Sequence, residues 1–144
     1  MLTGTYFNTL DNKGRVVVPT KLRFSLGERI WAVKGPDGCL NVFTQDGWIE
    51  YTSAYITNRT LKDEKARQLQ RFVLGGAHEL EIDKQGRINL PQSLISFAGI
   101  EKDVTFVGVG GYIELWNPDV YKREMGPENL NPKLVMAAAG EIEE

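Results

Sequence analysis

The sequence predicts a β-rich α+β fold in which two tandem ββαββα units build one barrel about a pseudo-twofold axis, with helices at its periphery. Three observations predict it. The stretch Leu10-Asp11-Asn12-Lys13-Gly14-Arg15-Val16-Val17-Val18-Pro19 returns 72 positions later as Ile82-Asp83-Lys84-Gln85-Gly86-Arg87-Ile88-Asn89-Leu90-Pro91, with Asp, Gly, Arg and Pro identical. After one inserted residue, Gly38 to Phe43 matches Gly111 to Trp116 at an offset of 73, and Asp46 matches Asp119. Finally, a unit of about forty residues buries too little apolar surface to fold unaided and leaves strand edges unpaired, so the two must fold together. The copies are placed at residues 5–47 and 77–120, with a helical insert at 48–76 and a tail at 126–144.

Taken in order, the segment before Asp11 is rich in Thr, Tyr and Phe and reads as a strand, and Val16 to Val18 as a second. The Asp-x-x-Gly between them reads as a hairpin loop, capped by the aspartate side chain and released by a glycine at positive φ. Pro19 and Pro91 each open a short helix at its first position, and Gly27 and Gly99 close those helices. Ile30 to Val33 and Val104 to Val107 read as strands that turn at Gly35-Pro36-Asp37-Gly38 and at Gly110-Gly111. The returning strands end near Phe43 and Trp116, each followed by a helix start, at Thr44 or Asp46 in the first copy and Asn117-Pro118 in the second. Trp48, Tyr51, Thr52 and Tyr55 share one face of the first of these helices. In the insert, Thr60 to Val73 reads as a helix with Leu69, Phe72 and Val73 as its apolar stripe and Thr60-x-x-Asp63 as its cap. The tail reads as a mobile segment or a weakly attached helix.

Composition bounds the chemistry. With 144 residues, 42% of them hydrophobic and 25% charged, the chain is globular in type, not disordered. A single cysteine, Cys39, and a single histidine, His78, leave no internal disulfide and no zinc set, so no metal or cofactor is expected. No apolar run approaches the roughly 18 residues of a membrane span and no signal-peptide pattern opens the chain, which gives a cytoplasmic expectation with no membrane partner. The net charge of −2 excludes a uniformly basic coat. It is unevenly spread, however. Residues 1–29 carry five cations against two carboxylates, an excess of +3, and the remaining 115 residues sum to −5. One face can therefore meet an anionic partner while the rest discourages indiscriminate binding.

The repeated loop supplies the candidate residues. Arg15 has the planar fork that suits a guanine edge or a phosphate, and Lys13 suits a flexible phosphate contact. Alternatively, Asp11 and Arg15 pair with each other or with a neighbouring subunit and hold the loop closed, an exposed interaction of about 0 to 1 kcal/mol. In the second copy Lys84 and Arg87 lie near Glu79, Glu81 and Asp83, which favours structure or subunit contact. Arg59, Lys62, Lys65, Arg67 and Arg71 read as a solvated helix face, because Asp63 and Glu64 interrupt them. Trp48, Tyr51, Tyr55 and Trp116 read as core or subunit interface, and His78 and Cys39 as a satisfied histidine and a buried thiol.

Met1-x-x-Gly4, Leu10-Asp11-x-Lys13-Gly14-Arg15-Val16-x-Val18-Pro19, Asp37-Gly38-Cys39-Leu40 and Asp83-Lys84-Gln85-Gly86-Arg87 together resemble the MraZ family, over nearly the whole chain to Met125. Two Asp-x-x-x-Arg motifs at this separation, each followed by a proline, carry the resemblance. It implies an AbrB-like swapped-hairpin barrel and a transcriptional repressor that binds short direct repeats in double-stranded DNA upstream of the division and cell-wall gene cluster. It further implies a nucleoid-associated homo-oligomeric ring. By resemblance the DNA contact maps to Asp11, Asn12, Lys13, Gly14 and Arg15, with Asp83, Lys84, Gly86 and Arg87 as a second motif for structure, subunit contact or DNA. Two positions depart from the pattern: Thr3 stands where many members carry arginine, and Ile95 stands where the first copy has Arg23.

Other classes fit less well. A related double-ψ barrel hosts a self-cleaving decarboxylase, which needs a Gly-Ser bond, and no Gly-Ser dipeptide occurs here, so no enzyme is expected. An antitoxin-like regulator uses one repeat and a long toxin-binding tail, against two repeats here. A structural oligomeric barrel without specific DNA binding is the remaining alternative.

Overall fold

A computed structural model describes the backbone of residues 1–143 and the side chains of residues 1–140. The element order reads ββαββα twice. The first copy gives β1 (Leu2–Thr9), β2 (Arg15–Val17), α1 (Thr20–Leu26), β3 (Arg29–Lys34), β4 (Leu40–Thr44) and α2 (Gln45–Tyr55). After α3 (Glu64–Val73), the second gives β5 (His78–Glu81), β6 (Arg87–Asn89), α4 (Gln92–Ala98), β7 (Asp103–Gly110), β8 (Ile113–Trp116) and α5 (Pro118–Glu124). A last helix, α6 (Pro132–Glu143), leaves Leu134, Val135 and Met136 exposed; Glu144 of the tail lies outside the described residues.

Local chemistry sets the helix ends. The Thr44 hydroxyl accepts the Gly47 N–H at 2.9 Å and starts α2, and Asn117 Oδ1 accepts the Asp119 N–H at 2.8 Å to start α5. Pro19 and Pro91 sit one residue earlier than expected, as the flanking residues of α1 and α4, with extended ψ of 135° and 145°. The insert helix also starts later than its sequence suggests. Asp63, not Thr60, caps it by accepting the Lys65 N–H at 3.0 Å, and Ala66 and Val73 are its buried residues while Phe72 is exposed.

Six strands form one sheet in the order β1-β7-β8-β4-β3-β5, and β2 pairs with β6 in a separate ribbon. Each copy's first strand is therefore bonded to the other copy's third strand. The registers superpose pair by pair: Tyr6↔Phe106, Phe7↔Thr105, Asn8↔Val104 and Thr9↔Asp103 on one side correspond to His78↔Ala32, Glu79↔Trp31, Leu80↔Ile30 and Glu81↔Arg29 on the other. A pseudo-twofold axis thus runs between β4 and β8 and through the ribbon.

Two expectations need correction here. Among the described residues no closed barrel forms, because β1 and β5 end the hydrogen-bonded order of an open, wholly antiparallel sheet. Nor do β1 and β2 form a hairpin, since the loop at Asp11 joins strands that pair elsewhere. Side-chain burial accounts for both. Val16, Val18, Ile88 and Leu90 on the ribbon share a core with Ile30, Leu40, Phe106, Ile113 and Leu115 on the sheet. Each fully buried aliphatic side chain contributes about 1.5 to 3 kcal/mol, more than the roughly 0.5 to 1.5 kcal/mol net of the hydrogen bond it would gain by extending a ladder. The ribbon therefore covers the sheet face, together with α1 and α4.

On the opposite face, Val33, Phe43, Trp48, Ile56 and Val73 form a second cluster under α2 and α3, with Trp31 stacked on Trp48 at 5.3 Å. Cys39, Val107 and Trp116 pack under α5. Trp48 and Trp116 are core residues, whereas Tyr55 is exposed. Burial, followed by the charges of Glu114 and Asp37, pushes the Cys39 thiol far up, which leaves it unreactive. The His78 ring meets the Gly76 carbonyl at 3.3 Å.

Candidate nucleic-acid interface

Each repeated loop is held by its aspartate. One oxygen of Asp11 accepts the backbone N–H groups of Lys13 and Arg15, both at 2.9 Å, while the other accepts Arg15 Nε at 2.8 Å. The Asp11 N–H donates to Arg15 O at 2.8 Å and the Gly14 N–H to Asp11 O at 3.1 Å, closing the turn. Gly14 takes φ of 81°, a conformation that L side chains rarely adopt. The second copy repeats this bond for bond: Asp83 accepts the N–H groups of Gln85 and Arg87 at 2.9 Å and Arg87 Nε at 3.0 Å, with Gly86 at φ 77°. Of the alternatives left open by the sequence, the pairing of each aspartate with its own arginine is therefore present in both copies. It leaves both Nη groups of each arginine without a hydrogen bond among the described residues.

These bonds fix the charge of the site. The N–H of Arg15 foremost, with its guanidinium and the N–H of Lys13, lowers the Asp11 carboxyl from 3.8 to about 2, and the equivalent donors lower Asp83. Because the folded value lies below the unfolded one, the contribution of Asp11 to stability is fully present above its ordinary value and is lost as the pH falls toward about 2. A carboxyl-carbon NMR titration should accordingly give Asp11 a midpoint near 2. A midpoint near 3.8 would show that the loop is open in solution.

The ribbon then arranges the two loops. In its register Arg15 lies opposite Asn89, Val16 opposite Ile88 and Val17 opposite Arg87. Directly opposed residues of an antiparallel pair share a face. With Val16 and Ile88 buried inward, Arg15, Val17, Arg87 and Asn89 share the outward face, where Val17 is 39% exposed. The two arginines are diagonal neighbours, with Cα atoms about 7 to 8 Å apart. Asn12 and Lys13 are exposed in the first loop, as are Lys84 and Gln85 in the second. The sequence had separated the motifs by 72 positions and by charge environment; the fold puts them at the two ends of one ribbon.

Two further residues join the loops, and each crosses from the other copy. Arg23 of α1 lies against Gly86, and its Nη2 donates to Val18 O at 2.9 Å. Ile95 of α4 holds the equivalent place at Gly14, where a Cβ would meet its Cδ1 at 3.5 Å. Their places 72 residues apart were visible in the sequence, but their destinations were not. Arg29, counted in the basic N-terminal excess, lies 3.6 Å from Glu79 and 3.8 Å from Glu81 across β3 and β5. Arg59 and Arg67 of the insert donate to the Tyr55 and Leu61 carbonyls at 3.3 and 2.8 Å. No three His, Cys, Asp or Glu side chains gather as a metal site among the described residues, and no helix there is long and apolar enough to cross a membrane.

Comparison with known proteins finds the same two-part division in this chain. The family described as "MraZ protein, putative antitoxin-like" matches twice, over residues 1–72 and 73–125. A protein of Acetivibrio thermocellus named transcriptional regulator MraZ is 38% identical over 135 residues, 94% of each chain. One of the same name from Thermoanaerobacter pseudethanolicus is 45% identical over 122 residues, 85% of each. Another from Caldicellulosiruptor saccharolyticus is 38% identical over 142 residues, 99% of each. With the family matching residues 1–72 and 73–125 and these relatives covering 85% or more of its length, the chain belongs to the MraZ family.

Proposed function

We propose that the protein is a sequence-specific DNA-binding transcriptional regulator, acting as a repressor of the division and cell-wall gene cluster through short direct repeats upstream of its own operon. The observation that carries this reading is the outward ribbon face. It presents Arg15 and Arg87 as diagonal neighbours, and a two-stranded ribbon is narrow enough to enter a major groove. The names of the relatives support the regulatory part. On this reading residues 5–47 and 77–120 are AbrB-like repeats in a swapped-hairpin arrangement, and Asp11, Asn12, Lys13, Gly14 and Arg15 form the principal contact. Asp11 and Asp83 act by positioning the arginines.

A chain with a net charge of −2 binds DNA weakly through one site. A homo-oligomeric ring matched to repeated boxes raises affinity through effective concentration, and that assembly is part of the proposal, as is association with the nucleoid in the cytoplasm. Light scattering after size exclusion should give a defined oligomer; a monomer at working concentration removes the avidity. The central test is fluorescence anisotropy over a salt series, with native upstream DNA against scrambled DNA. Wild type should prefer the native repeats, and Arg15→Ala should lose at least tenfold in affinity, the equivalent of about 1.4 kcal/mol. Equal, weak binding to both duplexes, unchanged in the variant, would return both loops to a purely structural role.

A further inference from the structure

The sequence places a positive excess in residues 1–29, and the fold carries one of those cations, Arg23, to the second-copy loop. Two cations, Lys13 and Arg15, accompany Asp11, whereas three, Lys84, Arg87 and the imported Arg23, accompany Asp83. Arg23 is held in place by Val18 O and by contact with Gly86, where a Cβ would run into the guanidinium carbon. Glycine at position 86 thus serves the arginine as well as the turn. The ion pairs among the described residues engage Arg15, Arg29 and Arg87, and none engages Arg23. Its Nε is buried without a hydrogen-bond partner. With Nε buried and Nη2 held by Val18 O, Nη1 is the nitrogen of this carboxylate-free guanidinium left to meet an anion.

We infer that Arg23 supplies the second-copy loop with a phosphate-binding guanidinium, so that Arg23, Lys84 and Arg87 take one backbone phosphate of duplex DNA beside the Arg15 loop. The inference rests on the DNA-binding reading above and names the part of the interface that positions without reading sequence. Ile95 is the internal control. It occupies the place of Arg23 at the first loop, so that loop lacks the third cation.

The test uses the full chain, with native and scrambled duplexes titrated across a salt series. Arg23→Gln should weaken both duplexes by the same factor and reduce the slope of log K against log salt by about 0.9, one phosphate contact. Ile95→Arg, which installs the guanidinium at Gly14, should steepen the slope by about the same amount. Arg23→Lys should keep the slope, since the charge remains. Thermal melting accompanies each variant; if Arg23→Gln fails to fold, Arg23→Met keeps the aliphatic stem over Gly86 and is read in its place. A folded Arg23→Gln or Arg23→Met variant with wild-type affinity and slope overturns the inference and leaves the DNA reading standing. Wild type that binds neither duplex overturns the DNA reading and takes the phosphate site with it.

Discussion

Replacing Phe106 with alanine should lower the unfolding free energy by about 3 to 5 kcal/mol, with a fall in Tm on the order of 10 °C. Phe106 has no exposed surface and sits between Tyr6 of β1 and Leu115 of β8. Its pseudo-symmetric mate is Ala32, between His78 of β5 and Val42 of β4. The shared core is thus filled at this level by one large and one small residue. With alanine at both places this level of the core loses its one large side chain, and the cavity penalty adds to the lost burial. Urea unfolding should show a lower midpoint at an unchanged slope. Phe7→Ala, at a side chain 70% exposed, should stay within about 0.5 kcal/mol. A Phe106 loss below about 1 kcal/mol would mean that the ribbon collapses onto the gap, which would also move both loops.

Much of this arrangement is legible in the sequence because it is local. An aspartate four residues before an arginine, with glycine between, specifies the loop whatever its partners, and Thr44 and Asn117 specify their helix starts. The strands β3, β4, β7 and β8 follow from apolar runs and intervening turns. Partner choice is not local. Alternation tells that Val16 and Val18 face inward, but a period of two carries no information on whether β2 lies beside β1 or beside β6. The same limit hid the route of Arg23. Its neighbour Leu22 fixes which side of α1 is buried, yet only the crossing of α1 over the pseudo-axis brings position 23 to Gly86. Charge counted along the chain therefore credited Arg23 to the first copy, though it lies against Gly86 of the second, and counted Arg29, which Glu79 and Glu81 engage.

Exchange of strands between the copies also predicts that neither copy folds alone. A chain of residues 1–75 keeps the β3–β4 ladder but loses β7 from β1, β6 from β2 and β5 from β3. It also loses the second-copy half of the main core, including Ile88, Leu94, Phe106 and Leu115. What remains is a single two-stranded ladder packed under α2 and α3 through Val33, Phe43, Trp48, Ile56 and Val73 with its main-core face bare, and so small a unit is at best marginal in water. The loss is the whole folding free energy, about 5 to 15 kcal/mol for a domain of this class. Circular dichroism and amide NMR should find no folded monomer of residues 1–75, and equimolar addition of residues 76–144 should restore the native spectrum. A stable folded monomer would contradict the exchanged pairing of β1 with β7. Because both loops, Arg23 and Ile95 are assembled across the same boundary, DNA affinity should return only with the restored fold, and in the same titration.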